Sequence, residues 1–369
     1  MKAPAWRRWV PRVLLVFGAL LTIVACLGVW AQRQLMNTEN WVDTSSALLR
    51  DKAVQEETAA YLSDQVASSV TADELAAKLP DRLKPFAPQA ASALSELAER
   101  VATRALQSGA FQTLWEATNR TAHEQFVKLV NGDKTTLLGR SVVLDLRPML
   151  GKLAGRIGLG PDFAAKLSGD QGRVQIVKES DIDSLRKAFK VLKTVAWWAA
   201  FLAILTLGSA VSLSIPERRR NMLMTVGFTV AGAALFVLVV RRVAGNSLIQ
   251  TVSDGGASEP AARSTWTIAT TMLQHIAQAT FVLGLVIAAA AWFAGPARWP
   301  VRARKWIAPV VRDHGAAVWG STAIVILLVL AWAPLPAMRS ALGAAFFAFL
   351  LGGGLWALQR QISREFPAP

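Results

Sequence analysis

Six stretches of this 369-residue chain contain no Asp, Glu, Lys or Arg over 18 residues or more: 13–31, 195–215, 222–240, 276–293, 316–333 and 341–358. A helix rises about 1.5 Å per residue, so each run is long enough to cross a hydrocarbon core of about 30 Å. The last two are separated only by Pro334–Ser340, which reads as the turn of a helical hairpin. Charged residues make up 18% of the chain and mean hydropathy is +0.35, against about 25% charged in an ordinary soluble protein. This balance excludes a cytosolic enzyme and a disordered tail protein. The fold expected is an all-α membrane protein with six transmembrane helices.

The short loops set the orientation. With the N-terminus inside, the cytoplasmic segments are 1–12, 216–221, 294–315 and 359–369, holding 14 basic and 3 acidic residues. The short outer loops 241–265 and 335–340 hold 4 basic and 2 acidic residues, with Arg241-Arg242 as the one blemish. Both termini are therefore expected in the cytoplasm. Of 14 tryptophans, 11 fall near the ends of the runs, the depth that amphipathic rings prefer. Lys2, Arg7, Arg8 and Arg12 ahead of the first run also resemble a signal peptide. Its apolar stretch is longer than the usual ~7–15 residues, so an uncleaved anchor is expected.

Residues 32–194 form a polar segment of domain size, expected outside the membrane. Over 32–190 there are 21 basic and 20 acidic residues, so nearly all of the chain's net charge of +15 belongs to the membrane half. Topology and anionic inner-leaflet lipid account for that excess without nucleic acid. The segment reads as mainly helical. Asp51 can cap a helix bearing Val54, Leu62, Val66 and Val70. Thr71-Ala-Asp-Glu74 has the form of a capping box ahead of a short helix ending at Pro80. Leu94, Leu97, Val101 and Ala105 form one stripe over 87–107. Phe111, Leu114, Trp115, Ala122, Phe126 and Leu129 form another, broken from the first at Ser108-Gly109. The two are expected to pack as an antiparallel helical hairpin.

Two β-branched segments, Ser141–Leu146 and Arg173–Val177, can pair as a small β-hairpin around a helix at 147–157. Ile182, Leu185, Phe189 and Leu192 then repeat at helical spacing into the second span, which predicts one continuous stalk helix. The loop 241–265 is rich in turn residues. A helix from about 264 to 293 would be longer than the bilayer is thick.

The residues that could carry chemistry are few. The single cysteine, Cys26, excludes a disulfide framework. His123-Glu124 lacks the second histidine of a zinc-protease motif, since position 127 is Val, and His123 reads as a helix-surface residue. Gly155, Gly158 and Gly160 miss the dinucleotide-binding spacing and read as turn glycines. Asp43, Asp51, Glu56, Glu57, Asp181 and Asp183 read as caps and dipole partners. Asn119-Arg-Thr121 matches a glycosylation acceptor, relevant only in a eukaryotic secretory setting. Gln274, His275 and Gln278 at the outer end of the fourth span could line a polar vestibule. Gly227 and Ala231, like Ala344, Ala348 and Gly352, form small-residue ridges suited to close helix packing. On the inner side Arg298, Arg302, Arg304 and Lys305, with Trp299 and Trp306, suit a helix lying on anionic lipid. No cofactor or metal site is expected.

Four stretches carry a family resemblance. They are Asn37-Thr-Glu-Asn-Trp-Val42 with Asp51-Lys-Ala-Val54, Phe111–Trp115 with Asn119–Glu124, Val143–Pro148 with Arg156–Leu159, and Leu285 with Ala291–Pro296. With this order of segments the chain resembles uncharacterised actinobacterial multi-pass membrane proteins over most of residues 10–300. The resemblance implies an integral plasma-membrane protein with an external domain, and no reaction. The function expected is a non-enzymatic envelope anchor or scaffold presenting a binding domain to an envelope partner. The alternative is a transporter or channel component working near His275.

Overall fold

The computed structural model describes residues 6–69, 76–77, 80, 82–131, 142–145, 173–177, 179–332 and 341–365. The readings at 71–74, 147–157 and 155–160, and the turn at 334–340, fall outside these residues wholly or in most part. The described chain is almost entirely helical. Among the described residues eleven α-helices follow one another: α1 (Trp6–Met36), α2 (Thr38–Arg50), α3 (Lys52–Ser69), α4 (Ala87–Gln107), α5 (Gly109–Val130), α6 (Glu179–Leu213), α7 (Arg219–Asp254), α8 (Glu259–Phe293), α9 (Arg298–Asp313), α10 (Gly315–Trp332) and α11 (Ala341–Glu365). Strands β1 (Val142–Asp145) and β2 (Arg173–Val177) pair antiparallel, Val142 opposite Val177 and Asp145 opposite Arg173.

Four helices are long and apolar enough to cross a membrane, within Trp9–Met36, Ser184–Leu213, Pro216–Asp254 and Glu259–Phe293. The fifth apolar run gives a shorter apolar helix, Gly315–Leu328. The sixth lies in α11, which is not among the four.

Contacts divide the chain into two compact units. The first comprises Met1–Trp30, Thr194–Arg241 and Met272–Pro369. Small residues bring its helices together. A Cβ at Gly28 would lie 3.1 Å from the Ala196 Cα, and one at Gly18 would collide with Leu207. Gly227 and Ala231 of α7 lie against Gly284 and Ala288 of α8, backbone against backbone. With no side chain between them, the two helices gain close van der Waals contact, the term that drives association where solvent is itself apolar. Cys26, Val237, Leu273 and Ala277 form one buried cluster, with Ile23 and Trp30 against it. Leu207, Val226 and Val230 form another. Phe17, Phe201, Ile204 and Phe228 point away from these cores and are exposed, as hydrocarbon-facing side chains would be.

The second unit comprises Ala31–Lys193 and Arg242–Thr271. Its helices pair differently from the expected hairpin of the segments 87–107 and 111–129. Instead α3 packs mainly on α4, and α2 on α5. On α3 the buried positions are Gln55, Ala59 and Ser63, one turn apart, and the Ser63 hydroxyl donates to the Ser95 carbonyl at 2.8 Å. These small and polar residues allow close approach. Leu62 of the expected stripe is exposed instead, as are Leu97 (53%) and Val101 (56%) of α4. Asp51 caps α3 as expected, accepting from the Ala53 and Val54 amides at 3.1 and 3.2 Å.

The expected loop 241–265 is mostly helix. α7 continues to Asp254 and α8 starts at Glu259, so four residues connect them. Gly256 takes φ 105° there, a conformation that favours glycine. Gly245, read as a turn residue, lies inside α7, where its missing side chain makes room for the Trp266 indole. The stalk reading corresponds to α6, unbroken from Glu179 to Leu213.

Candidate functional site

Two of the stretches that carry the family resemblance meet in space. α2 begins at Thr38 because Asn37 turns extended and its side chain accepts from the Asn40 amide at 3.0 Å. That cap places Thr38, Glu39 and Trp41 on the first turn, facing α5. From α5, Arg120 donates to both Glu39 carboxylate oxygens at 2.5 and 3.2 Å. The His123 Nδ1 lies 3.1 Å from the Thr38 hydroxyl, and its ring stacks on Trp41 with centroids 5.1 Å apart. Phe126 adds a tilted contact at 6.1 Å.

His123 is therefore not on the helix surface: it is 5% exposed. The surface reading rested on the absence of a partner histidine nearby in sequence, but Trp41 covers His123 from another helix. Burial pushes its pKa below the ordinary histidine value, against the smaller opposing effects of the Leu35 backbone and the Glu124 charge. The Glu39 carboxyl is held low by the Arg120 hydrogen bond first and the Arg120 charge second. That ion pair is solvent-exposed and stabilises little.

The Thr38–His123 pair has the elements of a hydroxyl–base dyad. It lacks a third side chain to orient the base: among the described residues none is bonded to the buried His123 Nε2. Among the described residues no group of three His, Cys, Asp or Glu could hold a metal ion. What the arrangement does is join α2 to α5 through a neutral imidazole. His123→Ala is expected to destabilise this unit by about 2–3 kcal/mol, from the lost ring packing and hydrogen bond. The fold favours the neutral ring. Stability should be complete above the unfolded histidine pKa and decline as pH falls below it toward the folded value. Melting the full chain across that range, beside His123→Asn, checks this. An Asn variant with the same acid limb would show that His123 is not the group responsible.

A second cluster lies in the first unit. Arg304 of α9 is 1% exposed. Its Nε and Nη2 donate to the two Glu365 carboxylate oxygens at 2.9 and 3.2 Å, Nη1 donates to the Phe293 carbonyl, and Nη2 to the Gly295 carbonyl at 3.0 Å. Gln361 donates to the Ala294 carbonyl at 2.9 Å and to Glu365 at 2.8 Å. The end of α8 is thus capped by side chains from two other helices. Arg304 leaves the expected set of lipid contacts because its donors are spent inside the protein. Arg298, Arg302 and Lys305 remain exposed, beside Trp299 (75%) and Trp306 (82%). At helical spacing the three cations form one stripe and the tryptophans the next, an order suited to a headgroup boundary.

His275 and Gln278 are exposed and Gln274 half-buried, while Leu273 and Ala277 face the core. Gln278 lies within one turn of both Gln274 and His275 on the same helix. At Gly352 of the other expected ridge a Cβ would lie 3.8 Å from the Trp319 ring, an ordinary contact distance. The Arg304–Glu365 pair escaped the sequence reading. Its trace is an arginine between Pro300 and Ala308 on the buried side of a basic helix.

No protein-family model, no curated protein and no solved structure matches the chain.

Proposed function

We propose that the chain is an integral plasma-membrane protein of the actinobacterial type described above. In this reading it has six spans, both termini in the cytoplasm, and a non-enzymatic role as an envelope anchor or scaffold presenting its external domain to a protein partner. α10 and α11 supply the fifth and sixth spans. Arg298, Arg302 and Lys305 contact anionic inner-leaflet lipid. One observation supports the role above the others: the apolar helices bury small and apolar side chains against each other. Among the described residues the one buried Lys or Arg is Arg304, outside the apolar runs. A transport path would place ionisable groups inward. The alternative, a transporter with a vestibule at His275, ranks second because His275 and Gln278 face outward.

Single cysteines test the topology. Cys26 is buried, so the natural thiol gives little background. Ser92→Cys, Asp254→Cys and Arg339→Cys are expected to react with an impermeant maleimide on intact cells, and Lys305→Cys only after permeabilisation. Labelling of Lys305→Cys from outside would reverse the orientation. Protection of Arg339→Cys would reduce the spans to four.

A further inference from the structure

The second unit contains a half-open cavity of about 420 Å³ walled by Met36, Val130, Asn131 and one face of α6. That face supplies Arg186, Phe189, Lys190 and Lys193, with Lys187 at the side. Residues 186, 190 and 193 follow one helical stripe, so their charges stand one above another. Two contacts fix the wall. Phe189 meets Phe126 edge to face at 5.4 Å, and the Arg186 Nε donates to the Leu129 carbonyl at 2.9 Å. Arg186 is thereby engaged with the end of α5. Lys187, Lys190 and Lys193 are exposed and make no ion pair among the described residues. Among the described residues that line the cavity none is acidic. Like charges stacked on one helix repel, so this wall is poised for an anion.

Met36, Val130 and Phe189 make part of the lining apolar, which suits an anion carrying hydrocarbon better than a free inorganic ion. Lys193 precedes the charge-free run 195–215 by one residue in the same helix. Lysines at the end of a span reach the depth of headgroup phosphates, which both leaflets carry. The volume falls in the usual range of small-molecule sites. We propose that this cavity binds the phosphate of an anionic phospholipid, with Lys187, Lys190 and Lys193 on the phosphate and Phe189 and Met36 against the start of its chains. The proposal rests on the membrane reading and is independent of the scaffold role.

The test uses the full chain in a neutral detergent, titrated in parallel with dioctanoyl phosphatidylglycerol, dioctanoyl phosphatidylcholine and inorganic phosphate, with bound lipid counted by native mass spectrometry. Phosphatidylglycerol is expected to bind at least about tenfold more tightly than the other two, and more weakly as salt rises. Replacing all three lysines by glutamine should remove one tightly held phosphatidylglycerol, while replacing them by arginine should retain it. The basic face of α9 is separated by Arg298→Gln/Arg302→Gln/Lys305→Gln, which should keep that lipid. Far-UV dichroism of each variant verifies folding. Equal binding of the two lipids, or an unchanged count in the glutamine variant, would overturn the proposal. Inorganic phosphate binding as tightly as the lipid would make this a free-anion site and overturn it too.

Discussion

Replacing Arg304 by alanine is expected to loosen the whole end of the first unit. The side chain holds four hydrogen bonds: two to Glu365 and one each to the Phe293 and Gly295 carbonyls. Removing one partner of a buried ion pair costs about 3–5 kcal/mol. The Glu365 side chain is 34% exposed and can be rehydrated, which places the loss near the lower end, about 3 kcal/mol. Arg304→Lys should fare little better, because an ammonium cannot fork to a carboxylate and reach two carbonyls at once. Thermal unfolding of the detergent-solubilised chain measures the loss. Trypsin gives a local readout, since freeing α11 lets its last turns unwind and opens the backbone beside Arg360 to cleavage. A variant that melts and resists trypsin like the parent would remove the clamp from this account. Burial alone would raise the Glu365 pKa, but the Gln361 and Arg304 hydrogen bonds and the Arg304 charge outweigh it and hold it low. Its contribution is therefore present above the unfolded glutamate pKa and lost as pH falls through the folded value. Glu365→Gln should flatten that acid limb.

Leucine at Gly227 or Gly284 should be as damaging, by the opposite route. A Cβ at Gly227 would stand 2.5 Å from the Ala288 nitrogen and 2.7 Å from the Gly284 carbonyl oxygen. At Gly284 it would stand 2.5 Å from the Ala231 nitrogen. Backbone cannot rotate aside as a side chain can, so α7 and α8 must separate. Overpacking usually costs about 1–3 kcal/mol, and displacement along a whole ridge belongs at or above the top of that range. Gly208 and Gly232 have nothing within 4 Å of a built Cβ. Alanine there should be harmless, or stabilising by up to about 1 kcal/mol through helix propensity. Melting temperatures of the four variants decide the matter. Equal sensitivity at Gly232 and Gly227 would show that helix flexibility, not contact, governs these positions.

What could be read in the sequence follows the range of each signal. The first four apolar runs needed only length and charge, and all four lie in long apolar helices. Gly227 and Ala231 stood out by spacing alone. Their partners Gly284 and Ala288 passed unnoticed, because a ridge has meaning only against the one it meets. Asp51 was legible as a cap because its bonds reach three residues along the chain. Leu97 and Val101 were misread: hydrophobicity named them as the buried stripe, but the approach of α3 to α4 uses smaller residues. His123 and Arg304 were beyond local reasoning for one shared reason. Each is buried by a residue distant in the chain, Trp41 for the first and Glu365 for the second. The turn glycines and prolines near 241–265 overstated the loop, since a long helix can absorb Gly245 and Asn246 when its neighbour fits the gap.

The second unit is assembled from two separate lengths of chain, Ala31–Lys193 and Arg242–Thr271. Glu57 accepts from the Ser258 amide at 3.1 Å, a bond between partners 201 positions apart. A ribosome makes the first length well before the second, at about 5–20 residues per second. For roughly the time needed to add fifty residues, the earlier helices must wait with their last neighbour missing. Glu57 of α3 would lack the Ser258 amide throughout the interval. A stop codon anywhere between the second and fourth apolar runs would therefore leave more than a shortened bundle. In the topology proposed above it would strand an unfinished domain on the far side of the membrane, recognisable as immature by the hairpin it never received.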